Sequence, residues 1–311
     1  AGDVQLIDNT IEKNVTDPIQ DSGNPTGAGI FVASDNAQLY PFGSDSLLLQ
    51  RNIVRNNQTA QSAGYAQQIG TPVKNLMLSN NLFYGNTSRH LSANQIYISG
   101  PYSGTLPTLT EVNNTIYGGG QTLILYFGPS TIANNVFVNT TNAGTIAAEN
   151  AGLECADPEA QSAPLDIQNN DIFNTGNLVS GECPLGSGNL ALDPIFLDSG
   201  NEDFHEQASS PTVKAGQITA PLIPTADLDQ KARVVCSTID MGAYELRPHP
   251  PIVLTSSSNP VPGGSSLTFT ARLTGNCNVP TGTVTFLDGA TVIGTATLDS
   301  DGVGSFTTAF L

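Results

Sequence analysis

The chain has 311 residues, 10 of them basic and 27 acidic, giving a net charge of −17 and a pI near 4.2. Such a surface repels phosphate backbones, which argues against nucleic-acid binding, and no apolar run approaches the ~20 residues of a membrane-spanning helix. Charged residues are only 12%, tryptophan is absent, and no stretch alternates Glu, Lys and Leu at a helical period; this is an all-β composition.

The chain opens at Ala1-Gly2-Asp3 without an initiator Met or a signal peptide, and reads as a processed or excised piece of a longer protein. Asn9-Thr10-Ile11-Glu12-Lys13-Asn14 begins a motif that returns as Asn52-Ile53-Val54-Arg55-Asn56, Asn81-Leu82-Phe83-Tyr84-Gly85-Asn86 and Asn114-Thr115-Ile116-Tyr117-Gly118-Gly119. Two further copies are Asn134-Asn135-Val136-Phe137-Val138-Asn139 and Asn170-Asp171-Ile172-Phe173-Asn174. Starting from Asn9, the copies step to 52, 81, 114, 135 and 170, by 43, 29, 33, 21 and 35 residues. Coils of roughly 20 to 30 residues with loop insertions fit these steps, and the longest has room for a divergent coil.

The residue types fit a right-handed parallel β-helix. Neighbours in a strand point to opposite faces, so one residue of each apolar pair fills the interior. Asparagine tolerates the left-handed backbone of the following turn, and its amide both donates and accepts. Equivalent asparagines on successive coils can then stack, and Asn14, Asn56, Asn86, Asn139 and Asn174 are the expected turn ladder. Gly118 and Gly119 serve the turn without the ladder. A second strand series, Gly29 to Ser34, Gln95 to Ser99 and Leu123 to Phe127, lies upstream of asparagine copies as the first face of each coil. A β-sandwich also alternates strands with turns, but does not repeat its turn chemistry.

Five sequons, at Asn14, Asn57, Asn86, Asn113 and Asn139, fall in or beside these turns and read as incidental to an Asn/Thr-rich repeat. Pro101 to Gly104 and Ala156 to Pro158 read as surface loops. Of the four cysteines, Cys155 and Cys183 flank the last copy, and a disulfide there would close a 28-residue step. The alternative is free thiols in a cytosolic protein; an even cysteine count in a Lys-poor repeat chain favours a secreted or cell-surface setting. Cys236 and Cys277 could pair across the domain junction, which sequence does not fix.

Near residue 190 the pattern changes to Asp193-Pro194-Ile195-Phe196, Ser210-Pro211 through Gly216, Arg233, and Asp240-Met241-Gly242-Ala243-Tyr244-Glu245. A solenoid needs an atypical cap at its open end, and residues 190–246 are placed to be one. These motifs resemble the C-terminal signature of bacterial right-handed parallel β-helix proteins of the choice-of-anchor Q type. The resemblance covers residues 1–246; it implies a pectate-lyase-like fold on a secreted or surface-attached protein and implies no activity.

Residues 247–251 form a proline-rich linker. Beyond it Ser266 to Leu273, Gly282 to Leu287 and Thr291 to Leu298 alternate strictly, and Asp288-Gly289 reads as a hairpin turn. Pro280 to Phe286 followed by Asp288-Gly289 resembles a bacterial Ig-like repeat, which implies a spacer or adhesive stalk over 252–311. This stretch is shorter than the roughly 100 residues of a full sandwich. The closing Gly304 to Leu311 reads as a strand with no closing partner; truncation explains this, and so does completion of the sheet by a strand from another copy.

Chemistry is thinly represented. Arg51, Arg55 and Arg89 are the candidate lyase arginines, but no Asp cluster recurs beside them, and polygalacturonase-type motifs are absent. His90 reads as a solvated loop residue; His205 beside Asp203 is a possible acid/base pair inside the cap. Asp299, Asp301 and the Asp198 to Asp203 stretch lack the further ligands of a calcium loop, so no cofactor is assigned and Ca2+ has no specific motif behind it. The expectation is therefore a non-catalytic surface protein whose partners are its own copies or surface glycans, with a polysaccharide lyase, hydrolase or glycan binder as the alternative.

Overall fold

The computed structural model describes residues 3–15, 29–32, 44–59, 62–67, 73–88, 94–99, 107–119, 122–125, 128–139, 151–155, 164–175, 177–180, 184–247, 251–275 and 277–309. The chain divides into two compact units, 1–246 and 247–311.

The first unit contains three six-stranded parallel sheets, and each of six coils gives one strand to each sheet. The first face holds Val4–Ile7, Ser44–Gln50, Val73–Ser79, Thr108–Val112, Ser130–Ala133 and Leu165–Gln168. The second holds the asparagine-flanked strands Thr10–Glu12, Ile53–Arg55, Leu82–Tyr84, Thr115–Tyr117, Val136–Val138 and Asp171–Phe173. The third holds Ile30–Val32, Ser62–Gln67, Asn94–Ser99, Thr122–Leu125, Ala151–Cys155 and Asn177–Ser180. This is an all-β parallel β-helix. The series expected as the first face is the third, and a whole series, the leucine-rich first face, was not anticipated. The 43-residue step hides no extra coil: Val4 pairs with Leu47, Thr10 with Ile53 and Ile30 with Tyr65.

Alternation fixes what points inward. The central residue of each short second-face strand, Val54, Phe83, Ile116, Phe137 and Ile172, is buried in one interior column. Leu49, Leu78, Ile132 and Ile167 continue the column on the first face, and Ile30, Ile96 and Leu153 on the third. Burying a side chain of this size contributes about 1.5–3 kcal/mol, so the interior column is the principal cohesive term.

The turns divide their work between adjacent residues. Asp8, Arg51, Asn80, Asn113, Asn134 and Asn169 carry the left-handed backbone, with φ of 51 to 60°. The next residue makes the ladder: Asn9, Asn52, Asn81, Asn114, Asn135, Asn170 and Asn189 join Nδ2 to Oδ1 at 2.9 to 3.1 Å, across 43, 29, 33, 21, 35 and 19 residues. Each of the five middle amides also donates to a backbone carbonyl of the preceding coil, as Asn81 does to Leu49 O at 2.8 Å.

The expected ladder therefore needs correction. Asn14 and Asn86 do lie in a second, shorter ladder with Asn57, which Gln95 terminates. Asn56, Asn139 and Asn174 instead occupy the left-handed position one residue earlier, each with φ 53°. Asn174 and Asn139 still bond to each other, at 2.5 Å. Both positions favour asparagine, one for backbone conformation and one for its amide, so the sequence pattern does not separate them.

The expected end cap is corrected too. Leu185 and Leu190 add a partial seventh rung against Ile167 and Asp171, and the chain from 193 onward then runs back along the side of the coils. Several outward second-face residues are apolar, and the flank covers them: Phe204 packs with Leu82 and Tyr84, and Met241 with Val136 and Val138. Asn113, Asn134 and Asn169 donate to Asp240 O, Gln217 O and Ala215 O at 3.0 to 3.1 Å, and Asn80 donates to Ala226 O. The left-handed asparagines thus dock the flank as well as turn the coil.

In the second unit, Ile252–Ser256, Leu267–Leu273 and Val303–Thr308 form an antiparallel sheet with Leu267–Leu273 central, so the closing strand expected to lack a partner is in fact paired. Thr283–Asp288 and Thr291–Thr297 form a hairpin whose turn contains Gly289 at φ 59°. Phe286 lies between Phe269 and Phe306, with centroids 6.3 and 5.8 Å away. The strand Ile252–Ser256 was not anticipated, because Ile-Val-Leu-Thr-Ser does not alternate.

Candidate interaction surface

Two of the candidate arginines, Arg51 and Arg55, tie coils together. Arg51 forks onto Asp8 at 2.7 and 2.9 Å, joining the first two coils. Arg55 reaches Glu12 at 2.5 Å, Tyr84 Oη at 2.7 Å and Glu202 at 2.7 Å, binding three coils to the flank. These bonds hold Asp8 and Glu12 below the ordinary carboxylate range, chiefly through the bonds from Arg51 and Arg55. Arg89, His90 and Cys183, with the side chain of Cys155, lie outside the described residues, so the Cys155–Cys183 pairing does too. Cys236 and Cys277 are each disulfide-bonded.

His205 is held from both sides, by Asp203 at Nδ1, 2.6 Å, and by Asp229 at Nε2, 3.2 Å, while Lys231 binds Asp229 at 2.8 Å. Its ring stacks on Tyr244 at 4.0 Å between centroids. The cluster fastens the 196–206 hairpin to the turn at 227–231 and is the most polar exposed group on the flank. Asp299 is occupied within its own turn, accepting from Asp301 N and Val303 N at 2.9 Å each. Among the described residues, no group of three or more His, Cys, Asp or Glu side chains is arranged to hold a metal.

Beneath the flank, Arg233 is fully buried and donates to Asp240 O and Gly242 O at 2.6 and 2.7 Å. Burial pushes its pKa down, against the pull of Glu245, Glu206, Asp240 and Asp227. Burial likewise drives Glu206 well above the ordinary range. Of the sequon asparagines, Asn57, Asn86 and Asn113 are buried, so the folded chain withholds them from a glycosylating enzyme.

Two features escaped the sequence reading. Glu111 is fully buried in the interior. Counting back three residues from each ladder asparagine gives Leu49, Leu78, Glu111, Ile132 and Ile167, so the repeat itself marks the misfit once aligned on that position. The second is the exposed edge of the Ig-like module. Ile252, Val253 and Leu254 are 63, 56 and 59% exposed. Ile252 and Leu254 border an apolar groove of about 490 Å³ between the two sheets, lined further by Phe269, Val284, Phe286 and Ile293. Among the described residues, Ile252–Ser256 pairs with Leu267–Leu273 on one side and with no strand on the other.

The family model for the bacterial Ig-like domain (group 3) matches residues 254–311. No curated protein matches the chain. The family match covers the module and leaves the β-helix to be read from its fold; a bacterial Ig-like domain points to a surface or structural role.

Proposed function

We propose that the chain is a non-catalytic structural or adhesive protein of the bacterial exterior, in which the β-helix is a rigid projecting body and the Ig-like module is the joint. The observation that carries this is the exposed apolar strand Ile252–Ser256 beside the groove. A free strand edge offers a row of backbone donors and acceptors, and an added strand gains main-chain bonds plus pockets for alternate side chains. A strand from a second copy would satisfy both and link copies into a fibre.

A second reading, glycan binding along the first face, has one observation in its favour. Ser46, Asn75 and Thr108 form an outward polar row linked by bonds of 3.4 and 2.8 Å. Electron microscopy and light scattering of the native protein test the first reading. Filaments or end-to-end chains support it; monomers at every concentration sink it. Screening acidic polysaccharides for binding and cleavage, with and without calcium, tests the second, and cleavage would overturn the non-catalytic assignment.

A further inference from the structure

We propose that the β-helix is most stable in mild acid and loosens as pH rises, through an uncharged glutamic acid sealed in its interior column. Glu111 stands in register between Leu78 and Ile132, with Leu49 and Ile167 one coil further on each side. Both of its carboxyl oxygens are buried and have no hydrogen-bond partner among the described residues. The elements packed around it offer no compensating charge among the described side chains. Among the described side chains, the interior column of the second and third faces around this level holds Phe83, Ile116, Phe137, Ile96 and Leu153. Arg55, Tyr84, Tyr117 and Asp171 flank the inward central residues of their strands and so point outward. Lys74, on the neighbouring first-face strand, is exposed.

A carboxylate in that column would have neither counter-ion nor donor, so the proton stays on. Burial pushes Glu111 up to about 8. The folded chain then keeps a proton that the unfolded chain releases near 4.5. Stability from this group is complete below that value and declines as pH rises towards about 8. Three more buried acids push the same way. They are Asp171, which faces Leu192 N and Asp193; Glu206, which faces Asp240, Arg233, Thr212 and Glu245; and Asp240, which faces Leu246 N, Lys214 and Arg233. Asp171 and Glu206 each keep one oxygen without a partner among the described residues. Asp8, Glu12, Asp203 and Asp229 act oppositely, but partly exposed pairs contribute little. Acidification also relieves the self-repulsion of a chain at −17.

Thermal unfolding of the full chain at pH 5, 7 and 9 tests this. The β-helix transition is expected to fall by about 10 °C from pH 5 to pH 9. Glu111→Leu, which restores the column, should raise the pH 9 value and remove most of the slope. A wild-type transition that is flat or rises with pH overturns the proposal, and so does a Glu111→Leu chain that keeps the wild-type slope. If that variant does not fold, infrared spectroscopy of the wild type decides. A protonated carboxyl band at pH 7 that titrates away in alkali supports the proposal; its absence at pH 7 overturns it.

Discussion

The side-chain amide of Asn81 donates to Oδ1 of Asn114 at 2.9 Å, across 33 residues of sequence. The backbone N–H of Asn81 donates to the same oxygen, also at 2.9 Å. Asn114 in turn donates to Asn135 Oδ1 and to Leu78 O. Every rung of the buried ladder is thus donor, acceptor and inter-coil strut at once; the amide has two donor hydrogens as well as an acceptor oxygen, whereas a hydroxyl has one donor hydrogen.

Replacing Asn114 by alanine would leave Asn81 N–H and Nδ2 without partners in the interior. Buried unmade bonds of this kind cost about 1–3 kcal/mol each, so a loss of about 3 kcal/mol or more is expected in urea unfolding. Asn9→Ala, at the exposed end of the ladder, should cost under about 1 kcal/mol. Equal losses at the two positions would refute the ladder as a source of stability.

How much of this was legible depended on period. The second face could be read because each copy carries its own punctuation, as in Asn134-Asn135 before Val136 and Asn139 after Val138. The first face was hidden because its leucines, such as Leu47 and Leu49, have no marker of their own and gain meaning only when aligned on the following asparagine. Which asparagine of a pair turns and which one ladders is decided in three dimensions, by the coil next door. The side-on path of the flank was illegible for a similar reason. Leu82, Tyr84 and Val138 read as ordinary strand residues, and only the register shows that they form an outward apolar strip needing cover. The burial of Glu111 was illegible because strand alternation has two phases and sequence does not say which faces in.

At Gly242 the flank packs directly on the second face. At φ 84°, an added Cβ would meet Thr115 Oγ1 at 2.9 Å and Val136 Cγ2 at 3.2 Å. Gly242→Ala should therefore combine backbone strain with a clash against the second face and cost about 2–4 kcal/mol. Limited proteolysis should then cut within residues 193–246 faster than in the wild type. An unchanged cleavage pattern would mean the flank is held by its other contacts alone.

Leu254→Lys places a charge on the exposed edge strand beside the groove, where Leu254 is 59% exposed. Edge lysines discourage strand addition while leaving the host sheet intact. If copies join through this edge, the variant should lose assemblies in light scattering and electron microscopy while keeping its unfolding temperature within about 2 °C. Filaments that persist at wild-type abundance would exclude this edge as the joint.

Asp171 offers a pH test at the seam between coils and flank that is separate from the interior. Its Oδ1 accepts from Leu192 N at 3.0 Å, and its Oδ2 is buried without a partner. Burial is the main cause that pushes its pKa from 3.8 to about 6, and the neighbouring Asp193 adds to it. An acid raised in the folded state stabilises fully below its unfolded value and loses that contribution as pH rises through its folded one. The gap corresponds to at most about 3 kcal/mol. Asp171→Asn keeps the acceptor for Leu192 and abolishes the ionisation. At pH 8 it should raise the urea midpoint by an amount equivalent to about 2 kcal/mol. At pH 3 the wild-type carboxyl is protonated and nearly isosteric with the amide, so the two chains should unfold together. A gain of equal size at both pH values would trace the effect to packing and not to the carboxylate's charge.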